Sequence, residues 1–158
     1  MPLASTILMI RPAAFGFNTE TAANNYFQTN TGTANAELQQ RALAEFDNMV
    51  ALLRTNNIEV LVIEDTATPP KPDAIFPNNW LSTTPDGKVF IYPMFSPARR
   101  QEKRDDIVKW LAEHFIVKHV QDWSKYETED RFLEGTGSMI IDHGNELVSR
   151  YAHASRVL

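Results

Sequence analysis

The chain has 158 residues, of which 43% are hydrophobic and 22% are charged, as is ordinary for a globular protein with a substantial core. Its net charge of −5 and lack of a basic stripe argue against nucleic-acid binding. The sequence has no run of about 18 apolar residues and no cysteine. It therefore predicts no membrane span, no disulfide and no thiolate metal site, and it fits a cytoplasmic location.

The first part of the chain predicts two strands separated by a helix. Residues 6–10 form a short β-branched run that indicates a buried strand, and residues 13–33 are polar without a clear period. Asn35 is suited to cap a helix that extends to about Asn56, and residues 58–63 predict the next strand. Residues 67–73 hold three prolines and predict an extended segment. The apolar side chains expected on the inner face of the helix are Leu38, Ala42, Phe46, Met49 and Leu53.

The second part predicts two hairpins with a helix and a strand between them. Strands at 80–83 and 88–92 flank the turn 85–87, and strands at 138–142 and 146–151 flank the turn 143–145. Ser96 followed by Pro97 predicts the start of a helix to about Phe115, and residues 116–120 predict a strand before a polar connection at 122–130. The side chains expected to face inward from this helix are Ile107, Val108, Leu111 and Phe115.

These elements indicate a structural repeat. The two turns, near Asp86 and Gly144, lie about 58 residues apart, and each hairpin opens a unit of the form ββαβ. We expect a single α/β (α+β) domain over residues 1–158, with about two and a half units and a last unit that is cut short where 152–158 would begin its helix. Terminal units of such an array expose apolar flanks, so we expect self-association or pairing with a complementary chain.

Two polar segments occupy matching places in the repeat. The first, residues 72–79, carries Asp73, Asn78 and Asn79, and the second, residues 132–138, carries Glu134. Polar groups in connections beside a rigid sheet often face a ligand. Each also has a plain structural explanation: Asp73 as a turn residue, the two asparagines as loop residues, and Glu134 as an exposed strand end. No zinc-ligand spacing and no glycine-rich phosphate loop is present, so we expect no metal and no cofactor.

Three strings, IRPAAFGFN, PDAIFPNNW and FLEGTGSMIID, resemble the guanidine-group-modifying, or pentein, superfamily. That superfamily includes arginine deiminases, dimethylarginine hydrolases and amidinotransferases, and the chain looks most similar to amidinotransferase-like hydrolases linked to citrulline use. The resemblance runs in order along nearly the whole chain. It implies a five-bladed α/β propeller of ββαβ units, of which this chain would form the N-terminal part.

The resemblance also implies residue roles. Asp73 matches a substrate-binding acid, Phe76 would line the pocket, and Asn79 stands where the family commonly has an acid that grips a guanidinium. A carboxamide suits a neutral ureido group better than a carboxylate would, because it brings no charge and can both donate and accept. Arg99 or Arg100 would bind the carboxylate end of the substrate, although a solvated face is the alternative. The substrate-binding residues so implied are Asp73, Phe76, Asn78, Asn79, Arg99 and Arg100.

The implied chemistry is attack of a thiolate on the guanidino or ureido carbon, with a histidine that moves protons. Glu134 matches the acid that orients this histidine. The family places the histidine and the cysteine beyond the region this sequence covers, and none of His114, His119, His143 and His153 stands at the matching place. We therefore expect part of a hydrolase or transferase of arginine- or citrulline-like small molecules that is inactive alone. The alternative is a catalytically inactive remnant or an assembly or binding module.

Overall fold

A computed structural model describes residues 5–21, 32, 35–142 and 147–150 of the chain. The described part mixes helices with short strands, and the chain divides into two compact units, Pro2–Phe76 and Pro77–Leu158. The single domain expected from the sequence stays a prediction. The longer elements in chain order are β1 (Thr6–Arg11), α1 (Asn35–Thr55), β2 (Glu59–Glu64), β3 (Leu81–Thr83), β4 (Lys88–Ile91), α2 (Pro97–Arg100), α3 (Asp105–His114), β5 (His119–Asp122), α4 (Gly135–Ser138), β6 (Met139–Asp142) and β7 (Leu147–Arg150).

The Pro2–Phe76 unit is a β–α–β arrangement, as the sequence predicts. Strands β1 and β2 pair in parallel, from Thr6 opposite Glu59 to Arg11 opposite Glu64. Helix α1 packs Phe46 and Val50 against this pair, and both side chains are buried. Met49 was expected to face inward and is 54% exposed, because Val50, four residues after Phe46, takes the inner position.

The Pro77–Leu158 unit contains one complete ββαβ repeat. β3 and β4 form an antiparallel hairpin, and β4 pairs in parallel with β5. At the hairpin turn the Gly87 N–H donates to the Thr84 carbonyl, and Gly87 has a φ of +85°, which side chains disfavour. The predicted hairpin is therefore confirmed, and β6 with β7 forms the second antiparallel hairpin. The predicted turn 143–145, the stretch 152–158 and His153 lie outside the described residues.

The prediction of one continuous helix from Pro97 to Phe115 was wrong. It is two helices, α2 and α3, and Arg104 between them is extended, with φ −119° and ψ 115°. Phe115, expected inside, is 44% exposed because α3 ends at His114. The following strand begins later than predicted, at His119, because its pairing with β4 starts at Lys88 opposite His119.

No helix within the described residues is long and apolar enough to cross a membrane.

Candidate functional site

The two asparagines are held by a short 3₁₀ helix, Pro77–Asn79, that leads directly into β3. Trp80 follows it and is only 1% exposed. Its N–H donates to the Pro77 carbonyl at 3.0 Å, and its carbonyl accepts from the Tyr92 N–H at 2.9 Å. A buried indole and two backbone hydrogen bonds thus fix the segment that carries Asn78 and Asn79.

Asn79 contacts Arg99. One arm of the Asn79 side-chain amide lies 2.8 Å from Arg99 Nη1 and 3.2 Å from Nη2, and we assign it to the oxygen, which accepts from both. This orientation follows from chemistry, because a guanidinium has only donors. The other arm of the amide lies 3.3 Å from Thr136 Oγ1 and 3.2 Å from the Asn78 amide.

Arg99 is buried and paired with Glu102. Arg99 Nε donates to Glu102 Oε1 at 2.9 Å, and Nη2 donates to Oε2 at 3.0 Å. The two residues are 6% and 3% exposed. Ser96 caps the helix that carries Arg99, and its side chain accepts from the Arg99 backbone N–H. Such a two-point pair supplies both charge compensation and a fixed geometry for the guanidinium.

Glu134 joins the same group of side chains. Its Oε1 accepts from the Phe95 N–H at 3.1 Å, and its Oε2 lies 3.7 Å from Arg99 Nη1. The Glu134 side chain is 22% exposed, so the carboxylate is anchored and still reachable. We call Asn79, Arg99, Glu102 and Glu134 the Arg99 cluster.

The polar segments around residues 79 and 134 therefore meet. The Thr136 hydroxyl is hydrogen-bonded to the Asn78 amide. A Cβ atom on Gly135 would lie 2.3 Å from the Asn78 carbonyl oxygen, so only glycine permits this approach.

Arg100 makes a separate set of contacts. Its Nε donates to the Met94 carbonyl at 3.0 Å, and its Nη2 donates to the Phe95 carbonyl at 3.2 Å. The guanidinium lies over the Phe132 ring, 5.6 Å from its centroid. The neighbouring arginines thus differ: Arg99 lies in the Arg99 cluster, and Arg100 binds backbone carbonyls beside an aromatic ring.

Asp73 and Phe76 belong to the other unit. Asn18 Nδ2 donates to Asp73 Oδ2 at 2.7 Å, and these residues are 4% and 9% exposed. Asn18 also accepts from the Glu20 N–H at 3.0 Å. Phe76 is 46% exposed. The structure thus gives the Asp73 carboxylate a fixed donor within its own unit.

Sequence reasoning missed three residues that hold these groups: Asn18, Glu102 and Thr136. Asn18 lies in the string IRPAAFGFN, and its position shortly after the first strand is the local feature that could have pointed to it. Glu102 stands three residues after Arg99, a spacing typical of helical ion pairs, but the surrounding run of charges indicated a solvated face. Among the residues that the structure describes, no group of three or more histidines, cysteines or acids is arranged to hold a metal ion.

We expect Asn18→Ala to lower the free energy of unfolding by about 1–3 kcal/mol, because a buried carboxylate loses a direct donor. Urea denaturation would measure the change, and Asn48→Ala, at an exposed position of α1, is the matched control. Equal stability of the two variants would show that the Asn18–Asp73 hydrogen bond contributes nothing.

Comparison with solved structures shows where this fold occurs. ArgZ, an arginine dihydrolase from the ornithine-ammonia cycle in cyanobacteria, matches 95% of this chain with a TM-score of 0.63 and 17% identity, over 21% of its own length. A dimethylarginine dimethylaminohydrolase adduct with S-methyl-L-thiocitrulline matches 89% of the chain with a TM-score of 0.62 and 14% identity, over 48% of its length. A cysteine-to-serine variant of the Pseudomonas aeruginosa enzyme, complexed with citrulline, gives a TM-score of 0.57 and 14% identity, over 86% of this chain and 46% of its own.

These similarities confirm the predicted pentein-type α/β fold. The chain spans about half the length of the dimethylarginine hydrolases and a fifth of the full arginine dihydrolase. No protein among the curated ones matches significantly. The model of the eukaryotic N,N-dimethylarginine dimethylhydrolase family matches residues 11–156. The chain therefore belongs to the N,N-dimethylarginine dimethylhydrolase family, within the pentein superfamily of guanidino-modifying enzymes.

Proposed function

We propose that this chain holds the guanidino or ureido group of an arginine- or citrulline-like small molecule in a hydrolase or transferase reaction. The observation that carries the proposal is the Arg99 cluster, in which an amide, a buried arginine and an anchored carboxylate converge within a chain of this family. The sequence contains no cysteine, so the thiol nucleophile of the proposed reaction must come from residues outside it.

The geometry supports different roles for the proposed residues. Glu134 keeps an exposed edge while a backbone N–H and Arg99 hold its carboxylate, as an acid that orients a histidine requires. Arg99 is largely committed to acids and an amide of the protein, which favours a positioning role over direct binding of a substrate carboxylate. Asp73, Phe76, Asn78 and Arg100 are assigned to the substrate by resemblance, and these assignments stay proposals.

Ligand titration tests the proposal. We expect calorimetry to show that the chain binds citrulline or arginine with micromolar to millimolar affinity and releases no amine or ammonia from them. Binding without turnover follows from holding groups that lack a nucleophile. Glycine serves as the control ligand, since it has the α-amino acid end but neither a guanidino nor a ureido group. Absence of binding for both ligands, or equal heats with glycine, would contradict the proposal.

The second candidate is an assembly module that is catalytically inactive. Exposed apolar side chains in the described part of the chain support it: Met49, Leu52, Ile116 and Ile140 are each more than half exposed. We expect self-association or pairing with a complementary chain, and sedimentation that shows only monomers at high concentration would contradict this. The cytoplasmic location also stays a proposal, which cell fractionation would test.

A further inference from the structure

Glu102 is a buried acid to which the sequence assigned no role. Both of its carboxylate oxygens bind the Arg99 guanidinium, which in turn donates to the oxygen of Asn79. A guanidinium cannot accept a hydrogen bond. As long as Glu102 holds Arg99 in place, the Asn79 amide therefore has one permitted orientation, with its oxygen toward Arg99 and its nitrogen away from it.

The orientation of the Asn79 amide also determines the orientation of the Asn78 amide. The two side-chain amides lie 3.2 Å apart, and the arm of Asn79 that faces Asn78 is its nitrogen. Two amide nitrogens cannot bond to each other, so we assign the oxygen of Asn78, rather than its nitrogen, to the arm that meets Asn79 and Thr136. The Thr136 hydroxyl beside them can donate or accept and fits this arrangement. Asn78 is exposed, and its remaining arm is then the amide nitrogen, which carries two donors.

We propose that Glu102, acting through Arg99, is a positioning residue that sets the hydrogen-bond polarity of the Asn79–Asn78 pair, so that Asn78 offers N–H donors to a ligand. A ligand that carries an acceptor at this point, such as the oxygen of a ureido group, is favoured over a guanidinium, which carries donors alone. The ligand part of this inference rests on the proposed function, whereas the polarity of the pair does not.

The polarity can be measured in the ligand-free chain. In a ¹⁵N-labelled sample we expect strong Overhauser contacts from the Asn79 side-chain NH₂ protons to Thr136 and weaker ones to the Arg99 guanidinium protons, which face the Asn79 oxygen. Glu102→Gln replaces one acceptor oxygen by a donor, which disturbs the two-point hold on Arg99. We expect the Asn79 amide in this variant to sample both orientations. Glu113→Gln, at an exposed position of α3, should leave the spectrum unchanged.

A second variant reverses the polarity without disturbing Glu102. Asn79→Asp places an acceptor opposite Asn78, so the Asn78 nitrogen should turn inward and its oxygen outward. We expect the ratio of citrulline affinity to arginine affinity to fall on the order of tenfold in Asn79→Asp, and by a smaller factor in Glu102→Gln. Circular dichroism would establish that each variant is folded, and the wild-type spectrum decides the polarity even where a variant is not.

The outcomes separate the two proposals. The positioning role would be overturned if the Asn79 NH₂ protons of the wild type contact Arg99 more strongly than Thr136. It would also be overturned if the Asn79 orientation is unchanged in folded Glu102→Gln. The expected contacts together with no binding of either ligand would support the polarity and contradict the proposed function. Binding of both ligands with a ratio unaffected by Asn79→Asp would overturn the selectivity that we infer.

Discussion

Gly135→Ala should lower the free energy of unfolding by about 3 kcal/mol, because the new methyl group cannot be accommodated beside the Asn78 backbone. A Cβ atom at this position would lie 2.3 Å from the Asn78 carbonyl oxygen and 3.3 Å from the Tyr92 ring. Backbone atoms and a packed ring cannot rotate away as a flexible side chain can. Urea denaturation followed by circular dichroism would measure the change.

Gly137→Ala, two residues later in the same short helix, is the graded control. Its Cβ atom would lie 3.3 Å from Glu134 Oε2, which belongs to a side chain that can shift by a few tenths of an ångström. We expect it to cost less than about 1 kcal/mol. A Gly135→Ala protein as stable as Gly137→Ala would show that the segments around residues 78 and 135 are not held in contact as described.

The same substitution should affect ligand binding where the protein stays folded. To relieve the clash, α4 must move away from the Asn78 backbone, and this movement would separate Thr136 from the Asn78 amide. The proposed donor end of the site would then lose its support. We expect Gly135→Ala to weaken citrulline binding more than Gly137→Ala does.

Local sequence signals were sufficient for the elements that depend on neighbouring residues. Short runs of β-branched residues placed β1 and β2 to within one residue at each end, and a Pro-Asp-Gly turn placed the hairpin at Gly87. The family resemblance then indicated the pentein-type α/β fold, which pairing rules alone do not determine and which the solved structures confirm.

The features that were missed depend on distant contacts. The break between α2 and α3 has no local stop signal, because residues 101–104 are good helix formers. Arg99 and Glu102 are close in sequence, but the burial of the pair is a tertiary effect. The Asn18–Asp73 hydrogen bond joins positions 55 residues apart, which no periodicity can pair. The burial of Arg99 was also not predicted, because a run of charged residues at a helix start indicates a solvated surface as long as the partner of the arginine is unknown.

The segment that leads to Asp73 is organised around a buried ion pair. Lys71 Nζ lies 3.1 Å from Asp65 Oδ1, and each side chain is 1% exposed. The same ammonium donates to the Thr66 carbonyl at 2.8 Å, to the Thr66 hydroxyl at 2.7 Å and to the Pro69 carbonyl at 3.0 Å. One side chain thus satisfies a buried charge and two backbone carbonyls of the loop that precedes Asp73.

Lys71→Ala should therefore lower the free energy of unfolding of the Pro2–Phe76 unit by about 3–5 kcal/mol, because it removes the cation that lies 3.1 Å from the buried Asp65 carboxylate. Lys88→Ala is the matched control: Lys88 pairs with Asp86 at 2.7 Å, but the two side chains are 50% and 54% exposed. An exposed pair of this kind contributes about 1 kcal/mol or less. Hydrogen exchange of the backbone amides in β1 and β2 would measure the stability of this unit directly. Equal protection of these strands in the two variants would contradict a burial-dependent role for Lys71, whereas the expected loss in Lys71→Ala alone would link the stability of the unit to the loop that positions Asp73.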